Sequence, residues 1–318
     1  MANLVNVSNR NLMAGLSEQA KNYIAQSKAD NTVKSYKSDW ADFVSYCNNN
    51  SLDALPADEK TVISYITELA QDKKVSTINR RISAISQAHQ AAGYQTPTQT
   101  FAVRALLKGI KREKGTMPDK KQAAGIDDVR LMVETLGDKL IDIRDRALVL
   151  IGFAGAFRRS ELVNLTIEDI KTDRNGITIT LRHSKTDQEG QGIKKGIPYG
   201  SNPDTCPVRA LLDWLNASCI TEGAIFRSIN RHSQVQPNAM SDKAVALIVK
   251  KLAEVAGLDA SQYSGHSLRS GFITTAADYG VDERSIMKQS GHKSLVVMRG
   301  YIQEATLFRH NAASQVGL

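Results

Sequence analysis

No run of uninterrupted apolar residues in this chain approaches the roughly eighteen that a membrane-spanning helix needs, so no membrane span is expected. The opening stretch, MANLVNVSNRNLMAGL, lacks the apolar core of a secretory signal. Cysteine is scarce: Cys47, Cys206 and Cys219 are all there are in 318 residues. An odd and scattered set forms no disulfide framework and no metal-ligand spacing, which fits a reducing, cytoplasmic setting. Also missing are a Walker loop, an H-E-x-x-H helix, internal repeats and any low-complexity tract. Nucleotide hydrolysis and zinc-protease chemistry are therefore not indicated.

What the chain has is positive charge. Forty-one Lys and Arg stand against 33 Asp and Glu, a formal balance of +8. Such an excess points to an acidic partner, with nucleic acid foremost and a merely basic soluble protein the bland alternative. Residues 1–115 carry +5 and the remaining 203 residues +3. Both parts are positive, as two bodies acting on one polyanion would be.

The first third has helical periodicity. Helices are expected over LSEQAKNYIAQS, over NTVKSYKSDWADFVSYC (with Asn31 as cap and Val33, Tyr36, Trp40, Phe43, Val44 and Cys47 inward), over DEKTVISYITELAQ, over STINRRISAISQAHQAAG with Gly93 as its stop, and over FAVRALLKGIKREK. Short connections between them favour a small bundle. Arg112 to Ile126 is charged, holds Gly115 and Pro118, and loses the periodicity, so it marks a linker. Beyond it, IDDVRLMVETL and the strongly apolar IRDRALVLIGFAGA are expected helices. GITITLRHS switches to alternation, with Ile177, Ile179 and Leu181 on one face, and a returning strand is expected in GIKKGIPY. Helical patterns then run to the end. The fold class is mainly α: a helical bundle, then a mixed domain with a small antiparallel sheet.

Four local patterns could carry chemistry. Arg158 and Glu161 lie three apart, expected on one helix face, where a surface ion pair is the ordinary reading. Lys185 lies just past a strand at the lip of a hairpin, where lysines are usually only solvated. His266 and Arg269 sit at i and i+3 at a helix start, which attracts anions. His292 precedes Tyr301 by nine residues in GHKSLVVMRGYIQ, and taken alone Tyr301 would be structural.

In order and together, R-x-x-E-L at 158–162, S-K at 184–185, G-H-x-x-R at 265–269, G-H at 291–292 and the tyrosine nine residues on resemble the tyrosine recombinase, or phage integrase, family. The likeness spans about 145 residues. The N-terminal bundle and linker are similar to the Cre-like branch, although the best-known member of that branch has tryptophan where this chain has His292. The resemblance implies a chain organised as a tail (1–14), a helical, SAM-like core-binding domain (15–115), a linker (116–122) and a catalytic domain (123–318) ending in an exchange helix. It implies DNA cleavage and religation through a 3′-phosphotyrosine, with neither ATP nor metal and no other cofactor. Arg158 and Arg269 would hold the non-bridging oxygens, Lys185 would protonate the leaving oxygen, His266 would take the tyrosine proton, His292 would bond the phosphate, and Glu161 would support the arginines. Duplex DNA would be contacted by Lys34, Lys37, Arg80, Arg81 and Lys243, with solvated or phosphate-only roles equally open. It further implies a C-shaped clamp on the duplex, an inverted-repeat site, and a homotetramer that passes through a Holliday junction. The tail stripe Ala305, Phe308, Ala312 and Val316 would dock in trans. The few residues before the first helix favour an accessory-free system in a prokaryotic nucleoid, phage- or plasmid-encoded. Alternatives are a type IB topoisomerase and a catalytically silent DNA-binding protein.

Overall fold

The computed structural model describes residues 17–19, 23, 30–117, 120–182, 192–305 and 316. The chain divides into two units, Met1–Asp119 and Lys120–Leu318. The expected first helix falls largely outside the described residues, as do the hairpin tip with Lys185 and most of the tail beyond Ala305.

Among the described residues the first unit holds four long α-helices: α1 (Asp30–Asn49), α2 (Glu59–Asp72), α3 (Val75–Ala91) and α4 (Phe101–Lys114). Their starts follow local capping chemistry. The Asp58 carboxylate accepts the Thr61 amide at 2.6 Å to open α2, and the Thr100 hydroxyl accepts the Val103 amide to open α4. The apolar faces close over Phe43, Cys47, Val62, Ile66, Ile78, Ile85 and Val103. Each fully buried side chain of the larger kind is worth about 1.5–3 kcal/mol. His89 is consumed here: its Nε2 accepts the Ala57 amide and its Nδ1 faces the Ile85 carbonyl, both at 2.9 Å. Burial lowers its pKa, so it serves the core as a neutral ring.

The second unit runs α5 (Ile126–Glu134), α6 (Leu140–Ala154), α7 (Arg159–Val163), β1 (Ile170–Asp173), β2 (Gly176–Leu181), β3 (Ile193–Pro198), α8 (Pro207–Ser218), β4 (Arg227–Ile229), β5 (Val235–Ala239), α9 (Asp242–Val255), α10 (Ser267–Asp278), α11 (Glu283–Ser290) and α12 (Leu295–Ala305). Helix α6 is its axis, buried at every residue from Ala147 to Phe153. On α8, Trp214 is fully buried and donates its indole N–H to the Ile225 carbonyl at 2.9 Å.

The sheet is antiparallel in the order β1-β2-β3, with Leu181 opposite Ile193 across the hairpin that holds Lys185. The β4–β5 ribbon corrects the expectation that the hairpin is followed only by helices, and β1, before the hairpin, is a further, unexpected strand. Both are short and largely solvent-facing, so neither shows the apolar alternation by which a strand is read. Among the described residues no helix is long and apolar enough to cross a membrane.

Candidate active site

After α6 the chain turns through Gly155, Ala156 and Phe157 and reaches Arg158 in extended conformation, as the N-cap of α7. The expectation that Arg158 and Glu161 share a helix face is corrected. Arg158 lies before the helix, and Glu161 reaches back to it from the third helical position. The Glu161 carboxylate accepts the Arg158 backbone N–H at 2.9 Å through Oε2 and the guanidinium Nη1 at 2.5 Å through Oε1. A carboxylate at that position satisfies an orphan amide and suits the positive end of the helix. The pair is withdrawn from solvent, at 19% exposure for the arginine and 4% for the glutamate.

Arg269 stands on the first turn of α10. Small residues at Ser267, Ser270 and Gly271 let this helix press against the backbone at Ala124, whose N–H donates to the Ser267 carbonyl at 3.0 Å. A Cβ on Gly265, in the motif just before the helix, would lie 2.2 Å from the Arg159 side chain, which would have to shift to admit it. Arg269 is 1% exposed and donates Nη1 to the Ala156 carbonyl at 2.7 Å. Its pKa is pushed down to about 10 by burial and then by Arg158, with Glu161 opposing. It remains a cation at neutral pH. His266 caps the same helix with its side chain exposed.

His292 is aimed by Gly291, which ends α11 in the left-handed region at φ 69°. Its Nδ1 lies 2.8 Å from the Ser290 hydroxyl, which itself donates to the Ile286 carbonyl at 2.7 Å. That hydroxyl therefore accepts and Nδ1 donates to it; Arg269 Nη2 lies 3.3 Å from both ring nitrogens, and with the proton on Nδ1 it is Nε2 that can accept from it. Burial, then Arg269 and Arg158, push the imidazole pKa down to about 4, so the ring is neutral near pH 7.

Tyr301, on α12, has its ring centroid 6.0 Å from that of His292. Its ring packs on the cluster of Ile273, Ala276, Ala277, Ile286 and Met298. Lys120 Nζ lies 5.6 Å from the ring centroid, and Tyr301 is close enough to Arg269 to interact electrostatically.

One residue of the neighbourhood is not among those the sequence motifs point to. Lys195 on β3 is 2% exposed and donates Nζ to the Gly155 carbonyl at 2.6 Å. A signal for it exists: with Ile193 and Ile197 facing in, alternation places Lys195 on the same inward face.

The structure thus brings together Arg158, Glu161, Arg269, His292 and Tyr301, with His266 close enough to affect His292 electrostatically. Lys185 lies outside the described residues. Lys34, Lys37 and Lys243 are exposed. Arg80 and Arg81 are held in ion pairs: Arg80 on Asp39 at 2.7 Å and Arg81 on Asp42 at 2.5 Å. Among the described residues no three His, Cys, Asp or Glu side chains are grouped to hold a metal ion. Two guanidinium groups and a buried ammonium face one carboxylate, an excess of positive charge suited to a bound oxyanion.

Comparison with known proteins gives the same outline. Residues 126–307 match the phage integrase family, and residues 19–95 match the phage integrase N-terminal SAM-like domain. An integrase/recombinase xerD homolog from Selenomonas ruminantium is 43% identical over 95% of this chain and 89% of its own length. The tyrosine recombinase XerD of Yersinia pestis is 26% identical over 89% of this chain and 90% of its own. In fold, the chain is similar to XerH site-specific recombinase bound to a palindromic difH substrate, at TM-score 0.62 and 17% identity over 81% of this chain and 72% of that one. It is also similar to lambda integrase residues 75–356 on a COC' core site, at TM-score 0.58 and 16% identity over 89% and 92%. A chain matched across both its units in this way, and carrying the arginine, histidine and tyrosine set in one pocket, belongs to the phage integrase family of tyrosine recombinases.

Proposed function

We propose that this protein is a site-specific DNA recombinase in which Tyr301 is the nucleophile. The observation that carries the reading is the convergence of Arg158, Arg269, His292 and Tyr301 from four separate segments on one cationic pocket. Tyr301 Oη attacks the phosphorus of a DNA phosphodiester, the bond to the 5′-oxygen breaks, and a 3′-phosphotyrosine forms. His266 accepts the phenolic proton and Lys185 gives a proton to the departing oxygen. Arg158 and Arg269 neutralise the charge that builds on the non-bridging oxygens. His292 bonds the same phosphate, whose negative charge would favour the protonated ring that burial and the two arginines disfavour. Because the ester conserves the energy of the broken bond, attack by a free 5′-hydroxyl rejoins the strand without ATP.

Two basic units acting on one duplex, an inverted-repeat site and a homotetramer that exchanges strands through a Holliday junction complete the reading. In the first unit, Lys34 and Lys37 offer free positive charge to DNA, whereas Arg80 and Arg81 do so from ion pairs that DNA would have to compete with. Lys243 would supply the matching contact from α9.

The test is a nicked suicide duplex that traps the covalent adduct. Wild-type protein should accumulate a protein–DNA adduct, and Tyr301→Phe should bind the same DNA with unchanged melting temperature and form none. An adduct with the Phe variant would sink the assignment. Relaxation of supercoiled plasmid lacking any specific site would instead favour the topoisomerase reading.

A further inference from the structure

The last carbonyls of a helix have no partners within it. Where α6 ends, the carbonyl of its last residue and those of the two turn residues that follow are taken up by side chains from three other elements. The Ala154 carbonyl accepts Gln289 Nε2 from α11 at 2.9 Å, the Gly155 carbonyl accepts Lys195 Nζ from β3 at 2.6 Å, and the Ala156 carbonyl accepts Arg269 Nη1 from α10 at 2.7 Å. Gln289 also reaches the Gly196 carbonyl, next to Lys195, at 3.2 Å. The turn so gripped is unusual in itself. Ala156 has φ 46°, a left-handed conformation that costs a non-glycine residue energy and persists only where the surroundings impose it. Two residues later comes Arg158.

Within this clamp Lys195 needs explaining. Its ammonium sits 4.5 Å above the centroid of the Phe157 ring. The charged groups that face it are Glu161, which favours its charge, and Arg269 and Arg158, which oppose it; His292 is within electrostatic reach as well. Burial and the two arginines push its pKa down to about 7. An apolar side chain of the same length would avoid that repulsion and desolvation but would leave the Gly155 carbonyl without its donor. What the lysine adds is its hold on the turn.

We propose that Lys195 is a positioning residue which, with Gln289, locks the Gly155–Phe157 turn to β3 and so sets Arg158 in register with the strand that leaves the Lys185 hairpin. The partial negative charge of the helix end makes a cation the fitting clamp. This role rests on the proposed roles of Arg158 and Tyr301.

The experiment is single-turnover cleavage of a nicked suicide duplex, in oxygen form and with sulfur at the 5′-bridging position, a leaving group that needs no proton. Lys195→Met keeps length and burial and removes the donor. It should stay folded, bind site DNA as wild type does, and cleave about 10–100-fold more slowly, the scale of a misplaced reacting group. The loss should be equal on both substrates, whereas Lys185→Ala should regain rate on sulfur. Gln289→Leu, at a less buried position, should show the same two-substrate signature in weaker form and carries the test alone if the Met variant does not fold. Unchanged cleavage in the variant that folds overturns the proposal. So does selective recovery on sulfur, which would make Lys195 the acid itself. If instead Tyr301→Phe still formed the adduct, the broader reading would fail rather than this one.

Discussion

Arg81 in the first unit and Arg269 in the second are both arginines withdrawn from solvent, at 14% and 1% exposure, and they differ in what meets their charge. Arg81 lies on Asp42 through two bonds, at 2.5 and 3.1 Å, and touches the Tyr65 hydroxyl at 3.2 Å. Arg80 beside it is held bidentately by Asp39, at 2.7 and 3.0 Å. Two cations meet two carboxylates, and the cluster is balanced. Around Arg269 the count is different. Arg158 and Lys195 add to it, and Glu161 is the carboxylate that opposes them at close range, with Tyr301 opposing more weakly. Arg269 itself is tied to a carbonyl and a neutral imidazole. A balanced arginine holds helices together, while an uncompensated one is kept ready for an anion that arrives later.

The sharpest way to break this contrast is to exchange the losses. Arg158→Ala should slow single-turnover cleavage by about 100–1,000-fold, the usual effect of removing one donor to a developing oxyanion. Arg81→Ala should leave the rate at saturating DNA within about twofold and lower stability by up to about 1 kcal/mol, because Asp42 is exposed enough for water to replace the lost partner. Equal rate losses in the two variants would erase the distinction. A smaller effect sharpens it. Glu161→Gln keeps the shape of the Arg158 contact and removes the one balancing charge. We expect cleavage about tenfold slower, together with a larger gain in melting temperature from added sulfate than wild type shows, since the pocket is then more positive.

A third prediction concerns His292. Its folded pKa of about 4 lies below the ordinary value of 6.5. Between those values the unfolded chain takes up a proton that the folded ring refuses, so stability falls as pH drops from about 6.5 towards 4 and is flat above. The ring retains some solvent contact, so the fall attributable to it should be about 1–2 kcal/mol. His292→Asn should flatten that part of the melting-temperature profile; an unchanged profile would mean the ring is not held neutral. The smallest effect belongs to the exposed lysines. Lys34→Ala should reduce the salt dependence of DNA binding by about one ion, with little change in stability. A shift in base preference at one position would instead make Lys34 a base reader.

Much of the molecule is legible in the chain. Helices are readable because their apolar period is local, whereas the cap expected at Asn31 lies inside α1, which already includes Asp30, and the caps at Asp58 and Thr100 emerge only with the structure. The proposed catalytic set is readable through the family resemblance, because the chemistry demands particular residue types in order. A tyrosine nine residues past a Gly-His pair, following two spaced arginines, fits phosphoryl transfer far better than it fits a core. A spacing of three, by contrast, suits Arg158 equally on a helix face or at a helix cap, and packing puts it at the cap. Lys195 escapes a reading by residue type although the strand phase points it inward, because a lysine in a strand is ordinarily solvated.

By itself, then, the sequence determined the class of fold and, through its resemblance to a family, named the groups proposed to handle a phosphodiester, both of which rest on residue type and short spacing. Only the tertiary structure decided which cations are balanced and which are not. Asp39 and Asp42 reach Arg80 and Arg81 from about forty residues away, and Gln289, Lys195 and Arg269 meet at one turn from three distant segments. Charge and desolvation act through space, so the partner that makes an arginine structural, or leaves it available to DNA, is set by packing and not by its neighbours in the chain.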